Sequence, residues 1–164
     1  MKVIFLDIDG VLNGLGSESR CCGCLGIDDD KVKRLAKIIN ETDACIVLSS
    51  TWRHDWERVE SLEDLSTMGA YMVRKLKRER IHILSKTDDI SPEKRGVEIK
   101  KWLDDAKKDG VEIKSFCIID DEMFDFEAEG LIDYLVKTSF YEDDPGLQDS
   151  HVERAIEILN SDTL

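Results

Sequence analysis

A chain of 164 residues is long enough for one domain that buries about two-thirds of its unfolded surface, so no outside staple is needed to fold it. With 23 basic against 36 acidic residues the formal charge is −13, which excludes a broad basic face for nucleic acid and leaves only local basic patches. Hydrophobic residues at 41% and charged residues at 36% describe a globular chain with a solvated surface, without an apolar run that would span a membrane or serve as a signal peptide.

The first predicted element is the strand VIFL (3–6), a buried run ended by Gly10, Asn13 and Gly14, with Asp7 and Asp9 at its carboxyl end. Residues 13–28 are too polar and glycine-rich for the core and are expected to form a loop or small hairpin over the active edge. Cys21, Cys22 and Cys24 in this segment approach a zinc pattern, but no second Cys or His pair follows at a closing distance, so they are read as loop thiols without a metal. Cys45 and Cys117 fall inside apolar runs, and the odd total of five cysteines fits free thiols in the cytoplasm.

Residues 28–40 carry Val32, Leu35, Ile38 and Ile39 at helical spacing, and ACIVL (44–48) has strand length. Two helices are expected over 55–80, with Gly69 between or near them and the basic run RKLKRER (74–80) as a solvated face at the end. The strand IHIL (81–84) follows, then a helix over 93–108 with Val97, Ile99, Trp102 and Leu103 on one face. Strands SFCII (115–119) and YLV (134–136) and a helix over 151–159 complete the chain. Strands alternating with amphipathic helices imply an α/β fold: one doubly wound, Rossmann-like parallel sheet of about five strands with helices on both faces, in a single domain over 1–164.

In such a sheet, ligands bind at the carboxyl edge, where polar residues collect here. The first strand ends in Asp7 and Asp9, the second in Ser49, Ser50, Thr51, Trp52 and Arg53, and the fourth in Asp120, Asp121 and Glu122, with Asp125 a turn beyond; the helix before the fourth strand opens with Lys94 and Arg95. Carboxylates gathered from two strand ends repel unless a cation holds them, and oxygen-only ligands suit magnesium better than zinc or copper. Around a phosphate, Asp7 would attack phosphorus and Asp9 would protonate the leaving oxygen and later activate water. Ser49 and a cation at Lys94 or Arg95 would bind the remaining oxygens. Trp52, Trp56 and Trp102 are read as packing residues, with base stacking by Trp52 as the alternative. His54, His82 and His151 match no metal or triad spacing.

The segments DIDGVLN, IVLSS, KRG and IIDDEMFD resemble, in order, the four motifs of the haloacid dehalogenase-like (HAD) phosphohydrolase superfamily, and SSTWR and RGVEIKKWL are most similar to the small HAD domains associated with RNA-repair proteins. The resemblance implies a magnesium-dependent phosphatase with minimal or no cap. Asp7 would be nucleophile and Asp9 acid/base, with the Asp9 main-chain carbonyl as a further metal ligand. It places Ser49 at the phosphate, and Asp121 on the metal with Asp120 beside or behind it. Arg53 stands where polynucleotide phosphatases carry a substrate-binding arginine. The third motif usually holds a lysine, and here Lys94 and Arg95 compete for the place. The expected substrate is a phosphate on a macromolecule, such as a nucleic-acid end. The alternatives are a phosphotransferase or protein phosphatase of the same fold, a receiver-like signalling domain, and a non-catalytic phosphate-binding HAD domain.

Overall fold

The computed structural model describes residues 1–56, 67–91 and 93–161. In chain order it contains β1 (Lys2–Leu6), β2 (Arg20–Cys21), β3 (Cys24–Leu25), α1 (Asp29–Thr42), β4 (Cys45–Leu48), α2 (Arg53–Trp56) and α3 (Met68–Arg78). These are followed by β5 (Ile83–Lys86), α4 (Arg95–Lys108), β6 (Ser115–Asp120), β7 (Leu135–Lys137) and α5 (Asp149–Asn160). Five strands form one sheet in the order β5, β4, β1, β6, β7, and every pairing is parallel. The Rossmann-like α/β expectation is met, with β1 at the centre.

Alternation along each strand builds two separate cores. Ile4, Leu6, Ile46, Leu48, Cys117 and Ile119 pack with Val32 and Leu35 of α1, Met72 and Leu76 of α3, and Val152 and Leu159 of α5. Val3, Phe5, Val47, Phe116 and Ile118 pack with Ile99, Trp102 and Leu103 of α4. A period of two in the strands therefore meets a helical period on each side, which leaves β1 with no exposed side chain after Lys2.

Local signals explain the element ends. Asp43 takes a left-handed conformation (φ 56°) and its N–H closes α1 on the Ile39 carbonyl. Thr67 caps α3 by accepting from Ala70 N, and Gly69 lies inside the first turn of that helix. The rest of the expected two-helix span, 57–66, lies outside the described residues. After α3, Arg80 turns left-handed (φ 60°) and Ile81 N donates to the Leu76 carbonyl at 3.1 Å. That closure holds Ile81 at the helix end, so β5 starts two residues later than the apolar run IHIL suggests.

Within 13–28, β2 and β3 form a hairpin whose turn residues Cys22 (φ 52°) and Gly23 (φ 83°) are both left-handed, the geometry that matches strand twist in two-residue turns. Cys21 and Cys24 are free thiols, and Cys21 Sγ lies 3.6 Å from Cys22 Sγ. Among the described residues no helix is long and apolar enough to cross a membrane.

Phe5 is fully buried and meets Trp102 and Phe116 edge-on, with ring centroids 5.4 and 5.8 Å away. Phe5→Ala should lower unfolding free energy by about 3–5 kcal/mol, read as an earlier urea midpoint at unchanged m-value.

Candidate active site

The register brings three strand tips level: Leu6 pairs with Leu48 on one side and Ile119 on the other. Asp7 N donates to the Ile119 carbonyl at 3.0 Å and Ser49 N to the Leu6 carbonyl at 2.8 Å, which carries the ladder one step past β1 and β4. Asp120 ends β6, so Asp7, Asp120 and Asp121 meet at one edge with ligand oxygens all within 4.8 Å of one another. Gly10 explains the glycine of DIDG. It is left-handed (φ 71°), and a Cβ there would overlap the Asp121 carboxylate. Its carbonyl accepts from Thr138 Oγ1 at 2.6 Å, which ties the turn to the chain after β7.

Arg95 provides the counter-charge. Its Nη1 lies 2.9 Å from Asp120 Oδ2 and 3.2 Å from Asp7 Oδ2, and its guanidinium carbon sits 4.5 Å from the centroid of the Phe124 ring. Lys94 is exposed at the helix N-cap, so the structure brings Arg95, not Lys94, to the acidic cluster. Helix phase is the signal that separates them: Arg95 lies four and seven residues before Ile99 and Trp102, on the face α4 turns to the sheet. Asp125 Oδ1 accepts from Gly96 N at 2.6 Å, and a Cβ on Gly96 would stand 2.9 Å from that oxygen. The glycine of KRG thus lets the Asp125 turn close on the start of α4.

Burial shapes the acids. It pushes Asp7 above the ordinary carboxylate range, against the pull of Arg95 and a hydrogen bond from Ser50. Burial and then the Asp7 charge push Asp120 up to about 8, although Arg95 and Glu122 N oppose this. Asp121 is raised to about 6 by burial, Asp7 and Glu122. One guanidinium does not satisfy three carboxylates, and the donors are oxygen alone, so the cluster fits a hard divalent cation such as magnesium.

The other expected residues divide. Asp9 stands outside the cluster: its Oδ2 accepts from Trp52 Nε1 at 2.9 Å and its Oδ1 from Asn13 Nδ2 at 2.8 Å. Ser49 Oγ is buried without a partner, while the next hydroxyl, Ser50, is the one bonded to Asp7. Arg53 does not reach the cluster. Its Nη1 lies 2.8 Å from Glu98 Oε2 and 3.0 Å from Thr87 Oγ1, and its Nη2 lies 2.9 Å from Asp89 Oδ1. Glu98 is 1% exposed and requires a cationic partner, which takes the guanidinium expected at substrate phosphate. Trp52 is 4% exposed, so its ring has no face for a nucleobase. Asn13, Ser50 and Glu98 are site residues that the sequence does not mark: nothing local reveals the distant partners of Ser50 and Glu98, and Asn13 reads as a turn residue although its amide holds Asp9 from four residues on.

The model of the family described as the HAD domain in Swiss Army Knife RNA repair proteins matches residues 3–152. The chain belongs to this family. The match takes in the strand tips of β1, β4 and β6 and the start of α4, so this HAD domain contains every residue of the acidic cluster and Arg95. No curated protein and no solved structure is significantly similar to the chain.

The raised acids set a pH dependence in metal-free protein. Their folded-state affinity for protons exceeds that of the unfolded chain, so the cost of charging them is absent below the ordinary carboxylate range and grows as pH rises through about 6 and about 8. The gain in melting temperature on replacing chelator with magnesium should therefore be small near pH 5 and reach several degrees near pH 8. A gain independent of pH would separate metal binding from these carboxylates.

Proposed function

We propose that this HAD domain is a magnesium-dependent phosphatase that hydrolyses phosphomonoesters through an aspartyl phosphate on Asp7. The observation that carries the reading is the juxtaposition of Asp7, Asp120 and Asp121 with the Arg95 guanidinium at one sheet edge. Asp7, Asp120 and Asp121 would hold the magnesium ion, which when bound neutralises charge between the carboxylates and the phosphoryl oxygens.

An Asp7 carboxylate oxygen attacks phosphorus while the bond to the leaving oxygen breaks, and Asp9 gives that oxygen its proton. Asp9 then takes a proton from the water that attacks the phosphorus of the aspartyl phosphate, releasing inorganic phosphate and restoring Asp7. Arg95 holds a phosphoryl oxygen in fixed geometry while remaining charged, and the hydroxyls of Ser49 and Ser50 lie at the adjoining strand tip. Ser49 Oγ, buried without a partner, has a free donor for such an oxygen.

A nucleic-acid end is the substrate this reading favours. The family description refers to RNA repair, and exposed Lys94 together with the basic run at the end of α3 supplies local positive charge on an acidic chain. Part of that run is already neutralised, since Lys75 Nζ lies 2.7 Å from Asp29. The free thiols fit a cytoplasmic setting.

Phosphate release from small phosphates, 3′- and 5′-phosphorylated oligonucleotides and phosphopeptides, with magnesium or with chelator, tests the proposal. Asp7→Asn should abolish turnover without unfolding the protein, and Asp9→Asn should slow it roughly 10²- to 10⁴-fold. A folded Asp7→Asn protein that still turns over, or full activity in chelator, would overturn the mechanism. Oligonucleotide turnover should fall steeply with salt, and a phosphopeptide or sugar phosphate with much higher kcat/KM would overturn the substrate while leaving the phosphatase standing.

A further inference from the structure

Asp9 is the proton-transfer group of the mechanism proposed above, yet it sits half-buried at a turn where an unrestrained carboxylate would sample several rotamers. Both of its oxygens are instead taken by neutral donors from two different strand tips. Trp52 Nε1 donates to Oδ2 at 2.9 Å from the turn after β4, and Asn13 Nδ2 donates to Oδ1 at 2.8 Å from the turn after β1.

Neither donor is free to move. Asn13 is fully buried, its Oδ1 accepts from Gly10 N at 3.0 Å, and its amide also donates to the Gly26 carbonyl at 3.0 Å, so rotating the amide would strand several buried partners. Trp52 lies in the larger core with Leu48 and Met72, and Trp52 N contacts Ser50 Oγ at 3.4 Å. Ser50 in turn is bonded to Asp7. One short turn, 50–52, thus touches both carboxylates of the DIDG segment through different residues.

We propose that Trp52 is a positioning residue for Asp9: its indole N–H fixes the carboxylate so that the acid/base oxygen is presented to the leaving group. Asn13 sets the other oxygen. The indole ring contributes by packing, and only its single N–H addresses the chemistry. The inference rests on the phosphatase reading, and it assigns to a core-like tryptophan a part in proton transfer that its burial alone does not suggest.

The test uses leaving groups. Expulsion of an alkoxide needs the proton that Asp9 delivers, whereas para-nitrophenolate departs with little help. Trp52→Phe should therefore lower kcat/KM about tenfold for a simple alkyl phosphate and less than about twofold for para-nitrophenyl phosphate. In an Asp9→Asn background the same substitution should add no further loss for the alkyl substrate. Equal losses for both substrates, or a loss that persists in the Asp9→Asn background, would mean that Trp52 is structural and overturn the inference. Should Trp52→Phe fail to fold, the Trp52 indole resonance in nitrogen-15-labelled protein decides: replacing Asp9 with alanine should shift it upfield and speed its exchange with solvent, and an unmoved resonance overturns the inference. A wild-type protein that hydrolyses no phosphomonoester removes the phosphatase reading and this inference with it, a result distinct from an active enzyme indifferent to Trp52→Phe.

Discussion

Three carboxylates held within 4.8 Å of one another in a largely dry site repel, and much of the surrounding architecture answers that repulsion. Pairing of β1 with β6 places the acids by backbone register, and the glycine after Asp9 removes the side chain that would keep Asp121 away. Arg95 then bridges β1 and β6 through a single guanidinium nitrogen, its plane resting near Phe124. A sheet clamped by apolar cores on both faces can keep this arrangement because the strands have nowhere to relax.

The placement of Arg95 depends on a second buried charge pair. Glu98, three residues along α4, is joined to Arg53 at the start of α2, and Glu98 Oε1 also accepts from Ile90 N at 2.8 Å. The pair ties the first turn of α4 to the β4 tip and to the segment after β5. Its value lies in orientation: a buried pair contributes little net stability, whereas removing one partner leaves a charge in a dry site at a cost of about 3–5 kcal/mol. Two ion pairs in the first turn of one helix thus divide the labour, one facing the acidic cluster and one anchoring the helix that carries it.

Much of the fold was legible because burial here follows simple periods. The runs VIFL, CIVL and FCII alternate between two cores, and α1 and α4 carry apolar stripes at helical spacing. The strand after α3 starts two residues later than its apolar run because Ile81 is apolar and buried yet belongs to the helix closure. At the site, the acids were legible because each directly follows or ends an apolar strand run. What escaped was side-chain pairing across distance: Arg53 with Glu98, Trp52 with Asp9, and the choice of Ser50 at Asp7. Those partners lie up to 45 residues apart, and no local pattern encodes them. His151, given no role by its spacing, accepts from Gln148 N at 3.0 Å and helps close the start of α5.

The segment between β1 and α1 leaves and rejoins the body at neighbouring points. Ser17 Oγ donates to Asp28 Oδ2 at 2.6 Å, Gly26 N donates to the Ser19 carbonyl at 2.8 Å, and Asn13 holds the Gly26 carbonyl. These bonds form a stem below the Cys22 and Gly23 tip, so the distance the chain must bridge is already set before the hairpin begins. Lengthening such a tip adds only slowly growing closure entropy. The hairpin is accordingly a port for insertion: a longer excursion can be grafted between Cys21 and Cys24 while the stem, and the strand tips it is bonded to, keep their register.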